Sequence, residues 1–214
     1  MIIVPEIETV VILVPRTGSG SLYKALQAKY PRSMLIYRHM EADGVPDGYN
    51  RWRKVGVVRE PVDRLWSLYR FLRDHFQATD PTNGQPYLPR LQATRKSVAM
   101  PFSEWVVSNR EIIFDAHDLL QGKHWPVLTT RHTMPENVKS QFIYLRPDLG
   151  TEVWRFEDKH RLAKSLGVEL MHRHNSTDRS AVPPLSAQAA DHMHTHFRWD
   201  FQVTRPPLPL ELAS

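Results

Sequence analysis

The longest unbroken apolar run in the chain is Val10-Val11-Ile12-Leu13-Val14, between Thr9 and Pro15. Short, continuous and mostly β-branched, it predicts a strand buried on both faces, as in a parallel sheet. Arg16–Ser21 follows as a loop of small and polar residues. Leu22, Leu26 and Tyr30 then recur at helical spacing until Pro31 closes the segment. The pattern reads as strand, small-residue loop and helix.

The alternation continues downstream. Met34–Tyr37 predicts a second strand, Glu41–Asn50 a loop, and Val55–Val58 a third strand. Glu60-Pro61 opens a helix, with Pro at a first-turn position where its missing N–H costs nothing. Its apolar stripe is Val62, Leu65, Trp66, Tyr69, Leu72 and Phe76. Gln77–Pro101 lacks a clear period and reads as a variable loop, either a lid over a site or a surface insertion. Ser103–Leu120 predicts a helix capped by Ser103 and ended by Gly122. Phe142–Leu145 and Val153–Phe156 predict strands. Glu157–Leu166 predicts a helix ended by Gly167, and Ser186–Phe197 a last helix after Pro183-Pro184. Residues 205–214 form a proline-rich peripheral tail. Strands alternating with helices predict an α/β fold. The expected architecture is one P-loop-like three-layer domain over residues 1–204, a central parallel sheet flanked by helices.

Composition narrows the class. With 214 residues, 41% hydrophobic and 24% charged, the chain is an ordinary globular sequence, not a disordered, collagen-like or coiled-coil one. It has no cysteine, which excludes disulfides, thiolate nucleophiles and cysteine-bound zinc. No apolar run reaches the length of a membrane span, and no basic region precedes the first apolar residues. The expectation is a soluble, cytoplasmic protein without a signal peptide. The formal charge is +5, and residues 1–76 hold twelve basic against eight acidic residues. Twenty of the 28 basic residues are Arg, the side chain suited to bidentate contact with phosphate or sulfate. A basic first third predicts an anionic partner.

Two elements give that charge a place. Arg16, Thr17, Gly18, Ser19, Gly20 and Ser21 join a strand to a helix N-terminus. Backbone N–H groups and the helix dipole there attract oxyanions, and glycine lets the ligand approach closely. The loop is not a Walker A motif, because no Lys-Ser or Lys-Thr pair opens the helix. The second element is Val58–Tyr69. Arg59 ends a strand, where α/β proteins bind ligands. Arg64 and Ser67 are three residues apart and share a helix face away from the apolar stripe. Arg59 and Ser67 are candidates for a second anion site; the alternative is that Arg64 pairs with Asp63 or Glu60 at the surface and Ser67 is incidental.

Together these elements resemble the sulfotransferases that use 3′-phosphoadenosine 5′-phosphosulfate (PAPS), most closely the carbohydrate-type members. The resemblance implies that Arg16–Ser21 holds the 5′-phosphosulfate and that Arg59 and Ser67 hold the 3′-phosphate. Val153–Asp158, His174-Asn175-Ser176 and Phe197–Phe201 resemble later parts of the same family, which makes Ser176 and Arg179 secondary nucleotide contacts. The family loop often carries Lys where this chain has Arg16. Arg stabilises developing charge but does not give up a proton, so its role is electrostatic. The resemblance also implies a base between the two motifs. His39 is the first choice, because it follows the second strand and titrates near neutrality; Glu41 is the second.

Other readings of these residues carry less. His192 and His196 share a helix face, but no further ligand completes a metal set by spacing, so they read as surface histidines and no metal is expected. Trp66, Trp105, Trp154 and Trp199 read as core rather than a stacking platform. The expected partner is a small-molecule or carbohydrate acceptor, not nucleic acid, because residues 77–214 are nearly neutral. A P-loop kinase-type phosphotransferase and a non-catalytic nucleotide-binding relative are the alternatives.

Overall fold

A computed structural model describes residues 1–36, 39–74, 99–108, 140–170 and 181–204. The predicted segment 77–98, the tail 205–214, and Ser176 and Arg179 lie outside the described residues. Five strands form one sheet: β1 (Ile2–Val4), β2 (Thr9–Ile12), β3 (Met34–Leu35), β4 (Arg53–Val58) and β5 (Glu152–Arg155), in the order β3-β1-β2-β4-β5. β2, β4 and β5 pair in parallel, with Val11 beside Val55 and Val58 beside Arg155. β1 runs antiparallel to both of its neighbours. The sheet is therefore mixed, which corrects the all-parallel expectation. The cause is Ile2–Val4, a strand too short to signal itself, which turns back through the 3-10 turn Pro5–Ile7 to pair with β2.

Strand periodicity explains why the apolar runs are continuous. Ile3, Val10 and Ile12 belong to one core with Met40, Val45, Tyr144 and Leu145. Ile2, Val11, Leu13, Val55 and Val57 belong to another, with Leu22, Leu26, Leu162 and Leu166. Successive side chains point to opposite faces, so both faces are apolar and both are covered.

Helix α1 (Ser19–Lys29) and α5 (Lys159–Ser165) supply the second core and are tied at their C-terminal ends. Tyr30 Oη donates to Leu166 O at 2.7 Å and Lys29 Nζ to Gly167 O at 2.6 Å. Gly167 ends α5 with φ of 71°. Helices α2 (Pro61–Asp74), α3 (Phe102–Val107) and α6 (Ala187–His196) form a third, all-helical core from Leu65, Leu68, Tyr69, Phe102, Trp105, Met193 and Phe197. Helix α7 (Arg198–Thr204) follows directly.

The capping groups set these boundaries. Glu60 Oε2 accepts from Asp63 N at 2.7 Å at the start of α2, and Ser186 Oγ from Ala189 N at 3.2 Å at the start of α6. Ser103 does not cap α3: Pro101 precedes the first helical residue, and Ser103 Oγ accepts from Ser186 N instead. Phe142–Leu145 is not a strand but most of helix α4 (Gln141–Leu145). Its N-terminus is held by Ser140 Oγ and Asp200 Oδ1, both accepting from Phe142 N. No described helix is long and apolar enough to cross a membrane.

Candidate functional site

Because β2, β4 and β5 are parallel, their C-terminal ends share one edge of the sheet. Three segments emerge there: Leu13–Gly18 after β2, Arg59-Glu60 after β4 and Phe156–Asp158 after β5. This is where α/β sheets place ligands.

The loop after β2 is tightly built. Arg16 has φ of 65° and Gly18 φ of 78°, both left-handed. Gly18 suits its left-handed conformation, which L side chains rarely adopt, while a Cβ there would meet Phe156 only at ordinary contact distance. Thr17 is buried and its hydroxyl donates to Val14 O at 2.9 Å. Its side chain therefore braces the loop. Ser19, Gly20 and Ser21 form the first turn of α1 and are partly exposed.

Arg16 reaches across to α2. Its Nε and Nη2 donate to Ser67 Oγ at 3.1 and 2.9 Å, and its guanidinium lies 4.5 Å from the centre of the Phe71 ring. The first residue of one motif thus touches the last polar residue of the other.

Arg64 has a different position from the one its spacing suggests. It is buried, not on a solvated face, and Nε donates to Pro15 O at 3.1 Å. Its Nη1 is 3.7 Å from Asp200 Oδ2, and Asp200 is wholly buried. Burial lowers the Arg64 pKa, and Asp200 opposes that shift. Arg64 is a strut between the anion loop and α7.

Arg59 is fixed through its backbone. Gln141 Oε1 accepts from Arg59 N at 2.8 Å, and Gln141 Nε2 donates to Arg59 O at 2.8 Å. This pair continues the ladder at the end of β4 with a side chain in place of a strand. The Arg59 guanidinium lies 5.0 Å from the centre of the Phe156 ring, and Lys159 Nζ 3.6 Å from it. Arg59 Nε is buried and has no hydrogen-bond partner among the described residues. Burial lowers its pKa, against Asp63, Glu157 and Glu60, but a guanidinium stays charged.

His39 is buried beside the end of β2, with Nδ1 2.7 Å from Leu13 O. A carbonyl only accepts, so Nδ1 carries a proton in this contact. Glu41 is wholly buried, in the field of Arg146, whose guanidinium also bonds Asp43 at 3.3 Å. Of the two base candidates, His39 is the one placed at the strand end.

The spacing reading did not single out Phe156, Lys159, Gln141 or Asp200. Phe156 and Lys159 follow the end of β5, so the strand-end argument that selected Arg59 applies to them equally. Gln141 and Asp200 act through tertiary contacts that no local pattern announces. Trp105 is fully buried as expected, whereas Trp199 is 46% exposed and rests against Phe142, with ring centres 5.6 Å apart. Among the described residues no group of three or more His, Cys, Asp or Glu is placed to hold a metal ion.

The chain matches no protein-family model, no curated protein and no solved structure.

Proposed function

We propose that the protein is a sulfotransferase that moves a sulfuryl group from PAPS to an acceptor hydroxyl or amine. The observation that carries this reading is the contact of Arg16 with Ser67, which joins two anion-type motifs 51 residues apart in one site. Two further features fit a doubly anionic nucleotide. The loop turns left-handed at Gly18, just before α1, and Arg59 Nε is buried without a partner among the described residues.

The donor supplies the sulfuryl group. His39 Nε2 takes the proton of the acceptor as the new S–O or S–N bond forms, while Nδ1–H stays on Leu13 O and fixes the ring. The bond from sulfur to the phosphate oxygen breaks in line. Arg16 and the N–H groups of the first turn of α1 stabilise the charge left on that phosphate. Arg59 and Ser67 hold the 3′-phosphate, and Thr17 contributes by keeping the loop in shape.

Calorimetric titration with the product nucleotide, 3′-phosphoadenosine 5′-phosphate (PAP), against ATP tests the reading. PAP is expected to bind at least tenfold more tightly, about 1.4 kcal/mol. Equal affinity, or no binding of PAP, would overturn it, and preference for ATP with Mg²⁺ would favour a phosphotransferase.

A further inference from the structure

Gln141 opens α4 and is wholly buried, where an amide is tolerated only if its polar atoms are bonded. Both oxygen and nitrogen go to one residue. Oε1 accepts from Arg59 N and Nε2 donates to Arg59 O, each at 2.8 Å. Arg59 needs them. β2 stops pairing with β4 at Ile12, opposite Gly56, and β5 stops at Arg155, opposite Val58. Arg59 is the next residue and has no strand beside it, so its N–H and C=O must find another partner. Beyond that clamped backbone the guanidinium lies 5.0 Å from the centre of the Phe156 ring, with Nε buried and without a hydrogen-bond partner among the described residues. Fixing the backbone that launches so flexible a side chain cuts the entropy lost when it grips an anion.

Gln141 is itself placed by the frame of the other motif. Phe142 N and Ser140 Oγ, on either side of it in sequence, both donate to Asp200 Oδ1. Asp200 Oδ2 lies 3.7 Å from Arg64 Nη1, and Arg64 Nε donates to Pro15 O at the root of the loop after β2. The contacts therefore run from Pro15 through Arg64, Asp200 and the start of α4 to Gln141 and Arg59. They join the loop that holds Arg16 to the residue that follows β4, and so fix how far apart the two anion motifs stand. A ligand with two anionic groups is sensitive to that spacing, and a ligand with one is not.

We propose that Gln141 is a positioning residue that determines specificity, acting through Arg59 to set the second anion site against the first. The inference rests on the nucleotide reading for the identity of the ligand. For the hold on Arg59 it rests on the backbone contacts alone.

The test is calorimetry with PAP and with adenosine 5′-monophosphate, which lacks the 3′-phosphate, on the wild type, Gln141→Met, Gln141→Ala and Arg59→Ala. Met removes both bonds at similar length. Ala leaves room for water to bond the same two groups, which spares the fold while releasing the geometry. The wild type is expected to prefer PAP by roughly tenfold or more. Both Gln141 variants are expected to lose about fivefold or more of that preference, the scale of coupling within one hydrogen-bond network. A general loosening of the fold would weaken both nucleotides alike and leave the ratio unchanged. In the Arg59→Ala background, Gln141→Ala should change the ratio no further. A second readout needs no ligand. The Nε–H of Arg59, assigned by NMR from its absence in Arg59→Ala, should exchange with solvent about tenfold faster in Gln141→Ala. Where the wild type prefers PAP, an unchanged ratio in the folded Gln141 variants overturns the inference, and so does a further fall in the double variant. Where the wild type shows no preference for PAP, the nucleotide reading fails and the exchange rate decides. Equal rates in wild type and Gln141→Ala then overturn the inference, and a faster rate upholds the hold on Arg59 for an anion of another kind.

Discussion

His39 and Arg59 are each held by one part of the residue while another part is assigned the proposed chemistry. For His39 the split is within the ring: Nδ1–H is committed to Leu13 O, and Nε2 is the nitrogen proposed as the base. Asparagine at this position reproduces the Nδ1 donor but has nothing at Nε2. His39→Asn is therefore expected to fold normally and to bind PAP within about twofold of wild type, while turnover falls by roughly 10²–10⁴, the range for a lost general base. Steady-state assay beside calorimetry checks this, and retention of most activity would move the base elsewhere. For Arg59 the split is between backbone and side chain. Gln141 holds the backbone on both sides, so Arg59→Ala removes the guanidinium without releasing the end of β4. PAP affinity is expected to fall roughly 10–100-fold, the worth of a hydrogen bond to a charged group. Unchanged affinity would remove Arg59 from the nucleotide site.

At the scale of elements, the sheet is sensitive where β4 passes its neighbours. Gly56 lies under Leu145 of α4, and an added Cβ would collide with Leu145 Cδ2 and press on Ile12 O. Gly56→Ala is expected to cost about 1–3 kcal/mol through overpacking, read as a lower denaturation midpoint at unchanged m-value. At the β4–β5 edge, Arg53 Nε donates to Glu152 Oε2 at 2.8 Å. Arg53, with help from Trp154 Nε1, holds the Glu152 carboxyl below the usual carboxylate range. A depressed pKa stabilises the fold above the unfolded value and loses that contribution as pH falls through the folded one. Both side chains are well exposed, so the gain is at most about 1 kcal/mol. Arg53→Ala should narrow the stability gap between pH 6 and pH 3, and an identical gap would discount the pair. These elements were legible in the sequence to different degrees. The runs at Val10–Val14 and Val55–Val58 announced themselves, because strands covered on both faces need unbroken apolar residues. So did α2, whose stripe and Glu60-Pro61 start are local signals. Ile2–Val4 did not, being three residues long and joined to β2 through Glu8 at φ of 44° with no turn glycine. Phe142–Leu145 misled, because its aromatic and β-branched residues suit a strand while its cap comes partly from Asp200, 58 residues away. The same division holds for the site. Arg16, Arg59 and Ser67 stood out by type and spacing, whereas the meeting of Arg16 with Ser67 is a product of the fold.

The molecule as a whole joins two kinds of core, a sheet covered on both faces and an all-helical cluster of α2, α3 and α6. The buried pair Arg64–Asp200 lies where they meet. Arg64 belongs to α2, bonds the carbonyl of Pro15 at the root of the anion loop, and lies 6.0 Å from the ring of Tyr144 in α4. Asp200 belongs to α7 and also accepts from Ser140 Oγ and from Phe142 N, which starts α4. One carboxylate thus anchors α7, α4 and, through Arg64, the loop. A charge taken out of water repays its desolvation only while every partner is present. Asp200→Asn keeps the volume and an oxygen acceptor but leaves the Arg64 guanidinium buried without its counter-charge. The expected loss is about 3 kcal/mol. For a chain of this size that is a fall of roughly 6–12 °C in thermal midpoint. If the pair also positions the loop, PAP affinity in the folded Asp200→Asn protein at 15 °C should fall more than it does in Gly56→Ala, which is comparably destabilised but keeps the pair. A thermal midpoint within about 2 °C of wild type would show that the carboxylate charge does not hold the two cores together. An affinity no lower than that of Gly56→Ala would confine the pair to stability alone.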